Sequence, residues 1–316
     1  MKGRISCWLK GTVGGGLRLA LSGLRNLFFV RECAVCGAEL DCGDASGDCV
    51  VPGGGVLGGG RFLCEKCLGD IPLTRFWMYS ENAAMESLAG CRVHNAAALF
   101  FYRHDSPYCE IVRQFKYGQR ESLGLWAARL LGGYLAEGGL YTDVQAVVPV
   151  PLHPFKRWKR GFNQAEIIAR GVAEGLASRQ TGAEEPAREA VSGTAFPLHS
   201  PKSGLGADDV PTQHHPGHIP PHHFGEDSEK IPVVPHLLRR RRYTSTQTRR
   251  SATSRRSNVS GAFAVNHREL ERLRAAGITH ILIVDDVLTT GATLSECIRL
   301  LQDHFTVSAA TLGFVE

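Results

Sequence analysis

Short apolar runs alternate with helix-periodic stretches through the middle and the C-terminal part of the chain. Ala97-Ala98-Leu99-Phe100-Phe101-Tyr102, Val144-Gln145-Ala146-Val147-Val148 and Ile281-Leu282-Ile283-Val284 read as buried strands, and Thr306 to Phe314 as a closing strand. Between them, Ile111, Val112 and Phe115 fall on one helical face. So do Leu123, Trp126, Leu130, Leu131 and Tyr134, then Ala165, Ile168, Ala169, Val172 and Leu176, and finally Leu294, Cys297, Ile298 and Leu301. This alternation predicts one α/β domain built from residues 83–178 and 231–316. Between those two parts, over 179–230, periodicity gives way to Pro, Gly, Ser and His. Such a tract buries too little apolar surface to offset its ordering entropy, so it reads as a disordered insertion. Its histidines, His199, His214, His215, His218, His222 and His223, show no spacing typical of an ordered metal site.

The first 30 residues are different again. Leu17, Leu21, Leu24 and Phe28 share a helical face, but Arg18 and Arg25 interrupt it and no small-residue cleavage site follows. Residues 1–30 therefore read as an amphipathic helix region that packs on the rest of the protein, with a peripheral membrane contact as the alternative. No segment is long and apolar enough to span a membrane. At 316 residues, 43% hydrophobic and 21% charged, the composition is that of a soluble globular protein with one sizeable core and a small module.

The net charge of +5 is modest but unevenly placed. Residues 231–268 contain no acid, yet hold Arg239, Arg240, Arg241, Arg242, Arg249, Arg250, Arg255 and Arg256. Lys156, Arg157, Lys159 and Arg160 form a second knot. Clustered cations suit the phosphates of a small ligand or of a nucleic acid, and the plainer reading is a solubilising face.

Residues 31–70 carry two CxxC pairs, Cys33-Ala34-Val35-Cys36-Gly37 and Cys64-Glu65-Lys66-Cys67. Each pair can offer two thiolates to one tetrahedral Zn²⁺, as in zinc ribbons, and Gly37 permits the tight turn of a knuckle. The Gly-rich loop between them contains Cys42 and Cys49, which read as passengers. Without an export signal, the cysteines point to structural zinc in a reducing, cytoplasmic setting rather than to disulfides. A redox CxxC is the other reading, and the flanks lack its βαβ context. Cys7, Cys91, Cys109 and Cys297 read as small buried hydrophobes.

The strongest chemical signal follows the Ile281–Val284 run. Asp285-Asp286-Val287-Leu288-Thr289-Thr290-Gly291-Ala292-Thr293 places two acids and a threonine-rich turn between a buried strand and a helix. Ligands of open α/β sheets bind at that edge. The hydroxyls of Thr289, Thr290 and Thr293, and N–H groups made accessible by Gly291, can cradle an anion at a helix N-terminus. The acids can hold ribose hydroxyls or a hydrated Mg²⁺. The plainer reading is a solvated acidic turn. A second loop, Pro149-Val150-Pro151-Leu152-His153-Pro154, ends the strand before it and leads through Lys156–Arg160 to a new helix. Prolines fix the loop as extended and cations behind it suit a diphosphate; alone it could equally be a basic surface turn.

The acid–threonine block resembles the phosphoribosyl-pyrophosphate (PRPP) motif of type I phosphoribosyltransferases. The order of blocks along the chain resembles the ComF family. Those blocks are the two CxxC pairs after Leu27-Phe28-Phe29, the run Ile111-Val112-Arg113-Gln114-Phe115-Lys116-Tyr117-Gly118, the stretch from Val148 through Arg160-Gly161-Phe162-Asn163-Gln164, the run Thr246-Gln247-Thr248, and Asn258-Val259-Ser260-Gly261-Ala262-Phe263 before the acids. The resemblance implies a parallel-sheet, type I phosphoribosyltransferase-like domain joined to a four-cysteine zinc ribbon. It also implies a role in natural competence and DNA uptake, with single-stranded DNA and the competence machinery as partners. The insertion at 179–230 and the stretched cysteine loop depart from the family pattern.

On that resemblance the reaction is displacement of pyrophosphate from C1 of PRPP. Asp285 and Asp286 would serve the ribose hydroxyls and Mg²⁺, with Arg160 completing the catalytic set. Thr289, Thr290, Gly291, Ala292 and Thr293 would cradle the 5′-phosphate. Pro151, Leu152, Arg241 and Gln247 would face the pyrophosphate. The metal ligands of the ribbon would be Cys33, Cys36, Cys64 and Cys67. No residue pattern names the acceptor. Two readings follow: a transferase on an unidentified acceptor, or a non-catalytic, PRPP-sensing, single-stranded-DNA-binding accessory.

Overall fold

The computed structural model describes residues 31–40, 50–51, 55–56, 62–117, 120–152, 162–180, 230–241 and 261–316. The N-terminal helix region, Cys42, Cys49, the Lys156–Arg160 knot, Gln247 and residues 181–229 of the His-rich tract lie outside them. A two-stranded antiparallel ribbon, β1 (Val50–Val51) and β2 (Gly55–Val56), falls within the Gly-rich loop between the cysteine pairs.

The core is an all-parallel sheet of four strands, ordered β3 (Ala96–Phe101), β8 (Thr306–Phe314), β7 (His280–Leu288) and β4 (Ala146–Pro149). Parallel strands buried on both faces read as continuous apolar runs, which is how three of these four appear in the sequence. Leu282, Val284 and Leu312 sit in one hydrophobic layer with the helices α3 (Cys109–Tyr117), α4 (Glu121–Glu137) and α5 (Gln164–Gln180). Ile281, Ile283 and Val307 sit in the other, with α6 (His267–Ala275) and α7 (Ala292–Leu301). Each such Leu or Ile, withdrawn completely from water, contributes roughly 1.5–3 kcal/mol. Helix α5 runs to Gln180, two residues past the boundary that periodicity suggests.

Both outer strands are covered. The segment at Pro72–Thr74 bonds to β3 through Phe101 N–H to Pro72 C=O (2.9 Å) and Thr74 N–H to Leu99 C=O (3.1 Å). On the far side, Val147 and the 232–234 segment exchange two bonds of 2.9 Å. Neither edge is left as an open row of donors and acceptors.

Four elements give little warning in the sequence. Helix α6 is mostly charged and buries only Leu270 and Leu273. Strands β5 (Leu238–Arg240) and β6 (Phe263–Val265) pair antiparallel across a long sequence gap. Helix α2 (Ala83–Ser87) is a single turn or so, begun by Asn82, whose side chain accepts from Ala84 N–H and Met85 N–H at 3.0 and 3.1 Å.

Topology fixes where a ligand can sit. The connection leaving β4 enters α5 on one face of the sheet, and the connection leaving β7 enters α7 on the other. Neighbouring parallel strands whose exits diverge in this way open a crevice at their carboxyl ends.

Candidate functional site

The ladder between β4 and β7 ends with Val150 N–H donating to Val284 C=O at 2.9 Å. Just past it, β4 continues as half-buried Pro151 and Leu152, and β7 continues as Asp285 and Asp286. The loop of prolines and the acid pair therefore meet at one mouth of the sheet. Asn163 is buried, and its amide donates to Val150 C=O (3.5 Å) and to Glu166 Oε1 (3.2 Å). This asparagine acts on the loop's backbone, tying the start of α5 to the end of β4.

The acids are served by cations from two separate elements. Lys116, near the end of α3, places Nζ 2.9 Å from Asp286 Oδ2. Burial works against the charge on Lys116, but the Asp286 carboxylate, helped by Asp285, outweighs it and raises the lysine above its ordinary value. Arg240 of β5 faces Asp285 electrostatically and lies over the Phe263 ring, 5.0 Å from its centre. Burial lowers the Arg240 guanidinium, and Asp285 opposes that shift. Asp285 itself is pushed up to about 7, first by burial and then by the adjacent Asp286 charge, while the Asp286 N–H, at 2.8 Å from Asp285 Oδ1, Lys116 and Arg240 pull it down.

The threonine turn lies where the acids lead. Thr289 is exposed; Thr290, Ala292 and Thr293 are half-buried. Gly291 is the cap of α7 in the left-handed region, φ 69°. A Cβ there would lie 2.5 Å from Ser87 C=O, so both the conformation and the close approach to α2 need glycine. No side chain caps α7 and no acid occupies its first turn. Its first N–H groups, which lack intrahelical acceptors, are thus available to an anion. A cleft of about 750 Å³ opens beside Thr289 and Thr290, lined also by Phe76, Phe101, Phe314 and Ser87.

Among the residues singled out from sequence, Asp285, Asp286, Thr289, Thr290, Gly291, Ala292, Thr293, Pro151 and Leu152 thus gather at the carboxyl ends of β4 and β7. Arg160 and Gln247 lie outside the described residues. Arg241 is exposed just past the end of β5, and the arginine whose charge acts on Asp285 is its neighbour Arg240. Lys116 and Arg240 are the residues that sequence reasoning passes over. Lys116 stands in the Ile111–Gly118 run as the cation of an otherwise apolar helix end, and Arg240 is one of four consecutive arginines.

The cysteines form a second centre. Cys33, Cys36, Cys64 and Cys67 bring their sulfurs within 4.8 Å of one another. Cys36 Sγ and Cys64 Sγ are 3.8 Å apart, and a tetrahedron with Zn–S bonds of about 2.3 Å requires about 3.8 Å between sulfurs. The first knuckle turns at Gly37, φ 74°, with Gly37 N–H donating to Cys33 C=O at 2.9 Å. The second is the start of α1 (Glu65–Gly69), preceded by Cys64. Burial raises the Cys33 thiol, but the backbone N–H groups of Cys36, Cys64 and Val35 outweigh it and bring it down to about 7. Burial and the neighbouring sulfurs push Cys67 up. Four thiolates this close need a cation, and a divalent, thiophilic metal such as zinc fits the donor set. Cys109 and Cys297 are buried as expected of small hydrophobes, and Cys91 is half-buried with Sγ donating to Leu88 C=O at 3.1 Å.

Among the described residues no helix is long and apolar enough to cross a membrane. No family model matches the chain. It is 27% identical over 203 residues to competence protein F of Haemophilus influenzae, covering 62% of each chain. It is 27% identical over 198 residues to the DNA utilization protein YhgH of Salmonella typhimurium, and 25% identical over 198 residues to YhgH of Escherichia coli strain K12, in both cases covering 62% of this chain and 61% of the relative. The chain thus spans about three-fifths of the curated relatives it matches. These similarities to competence protein F and to the YhgH proteins support the resemblance to the ComF family read from the sequence.

Proposed function

We propose that this chain acts in natural competence or DNA uptake through a phosphoribosyltransferase-like domain that binds PRPP with Mg²⁺. The observation that carries the reading is the junction of β7 and α7. Two adjacent acids lie near the carboxyl end of the strand, at the sheet's switch point, and an uncapped helix N-terminus follows across a threonine turn and a left-handed glycine. The names of the relatives, competence protein F and DNA utilization protein, supply the biological setting.

In this reading Asp285 and Asp286 take the ribose hydroxyls and the metal, and Thr289, Thr290, Gly291, Ala292 and Thr293 take the 5′-phosphate. Pro151 and Leu152 border the pyrophosphate, joined by Arg160, Arg241 and Gln247. Mg²⁺ supplies charge neutralisation on the leaving diphosphate. The protein's own groups orient the sugar, and the carboxylates favour positive charge as it develops at C1. The four-cysteine module holds one structural zinc.

A second reading is a non-catalytic accessory in which the same pocket binds PRPP as an effector and the basic surface binds single-stranded DNA. It is favoured by the relatives' names, which describe competence and DNA utilisation rather than a transfer reaction. Pyrophosphate release separates the two. A transferase liberates pyrophosphate from PRPP with a suitable acceptor among bases, amines and amino acids, whereas an effector-binding accessory holds PRPP intact with every one of them.

A further inference from the structure

Lys116 occupies an unusual place for a lysine. Its side chain and that of Asp286 are each only 20% exposed, and they meet at 2.9 Å. The helix that carries it is fixed from the other direction by the cysteine module. Gln114 Nε2 donates to Ala34 C=O and Tyr108 Oη donates to Cys67 C=O, each at 3.0 Å. Ile111, Val112 and Phe115 lock the same helix into the core. Lys116 is therefore delivered to Asp286 by a helix anchored at both the cysteine module and the core.

One of the two acids at the mouth of β7 consequently already has its counter-charge. Asp286 is held there by Lys116, with both side chains largely withdrawn from water. A divalent ion approaching the free protein meets a carboxylate, that of Asp286, which already holds an ammonium at contact distance. We infer that Lys116 is a built-in counter-ion that closes the acid pair to free divalent metal, so that metal enters only in company with an anionic ligand able to draw Lys116 away. Such a ligand carries both the cation that replaces Lys116 at Asp286 and the negative charge that receives the released ammonium. This rests on the PRPP reading for the identity of the ligand, but the property itself belongs to the free protein.

Mn²⁺ alone is the probe, followed by electron paramagnetic resonance of the free ion. Wild type should bind it at least tenfold more weakly than Lys116→Met, which keeps the length and apolar stem of the side chain and removes the charge. The gain should vanish when Asp286→Asn is added to Lys116→Met, which assigns it to this carboxylate. Lys116→Gln provides a second neutral variant should methionine disturb α3, and Lys116→Arg should stay weak. Equal Mn²⁺ affinity in wild type and in a folded neutral variant overturns the inference, as does a gain that survives Asp286→Asn. A wild type that fails to bind PRPP while the Mn²⁺ gain persists would reject the proposed ligand and leave the counter-ion role standing.

Discussion

Gln114 Nε2 lies 3.0 Å from the carbonyl oxygen of Ala34, a hydrogen bond between the first cysteine knuckle and the helix whose next turn reaches the acid pair. The knuckle and the α/β core are also continuous in packing. Cys33, Ala34 and Leu63 belong to the same hydrophobic layer as α3 and α4, and Phe62 meets Trp126 with ring centres 5.9 Å apart. Metal at the cysteines would therefore support the position of α3 as well as the knuckles themselves. Purified protein should contain about one zinc per chain, lost in the Cys64→Ser, Cys67→Ser double variant, with a lower melting temperature. Full zinc occupancy in that variant would remove the four-cysteine assignment.

Gly291→Ala should be costly although it adds one methyl group. The left-handed backbone costs about 1–2 kcal/mol for a residue with a Cβ. The new carbon would also lie 2.5 Å from Ser87 C=O, which is backbone and cannot simply rotate away. Together with about 1–3 kcal/mol for overpacking, a loss of roughly 2–5 kcal/mol is expected in urea unfolding. Gly277→Ala, where φ is 74° and the space is open, should cost only the first part.

At the opposite end of the sheet, His280 is buried between two partners. Its Nε2 is 2.9 Å from Ser308 Oγ, and its Nδ1 is 2.9 Å from Asp143 Oδ2. Burial lowers the His280 value below the ordinary 6.5, and Asp143 only partly opposes this. The unfolded chain therefore takes up a proton before the folded one does as pH falls. The contribution is complete above about pH 6.5 and is lost as pH drops from there towards the folded value. Thermal unfolding should show this decline in wild type, and His280→Gln should flatten it. An unchanged pH profile would place the decline on other groups.

The basic surface is expected to bind single-stranded DNA weakly, with affinity set by phosphate contacts. Arg239 and Arg241 are its exposed members within the described part of the run, while Arg240 is half-buried over the Phe263 ring. Arg239→Ser with Arg241→Ser should lower the magnitude of the slope of log affinity against log salt by about 1.4, at roughly 0.7 per phosphate contact. Fluorescence anisotropy at several salt concentrations measures it. Absence of binding at low salt would confine these arginines to a small ligand or to solubility.

How far the sequence reaches depends on what kind of information each element carries. Strand β8 was legible to the residue, because small and apolar residues dominate Val307 to Phe314, all of which are buried. The acid–threonine block was legible as a strand, turn and helix because these are consecutive, although β7 runs on through the acids to Leu288 rather than stopping at Val284. Helix α6 was not, since two buried leucines among charged residues give a stripe too thin to stand out. Strand β5 offers only Leu238 to the core, so alternation could not show that Arg240 rather than Arg241 turns inward. Lys116 was the least legible. Its role depends on α3 packing across the mouth of β7, more than a hundred and fifty residues later in the chain, and no local pattern records that.

PRPP binding at the acid pair is the central claim, and it can be measured directly. Isothermal calorimetry of PRPP with Mg²⁺ should give measurable affinity in wild type. Asp285→Asn with Asp286→Asn, which removes the anionic acceptors while keeping their shape, should weaken it at least tenfold, about 1.4 kcal/mol or more. Equal affinity in the double variant, or no binding by folded wild type, would contradict the assignment of this strand end as the PRPP site.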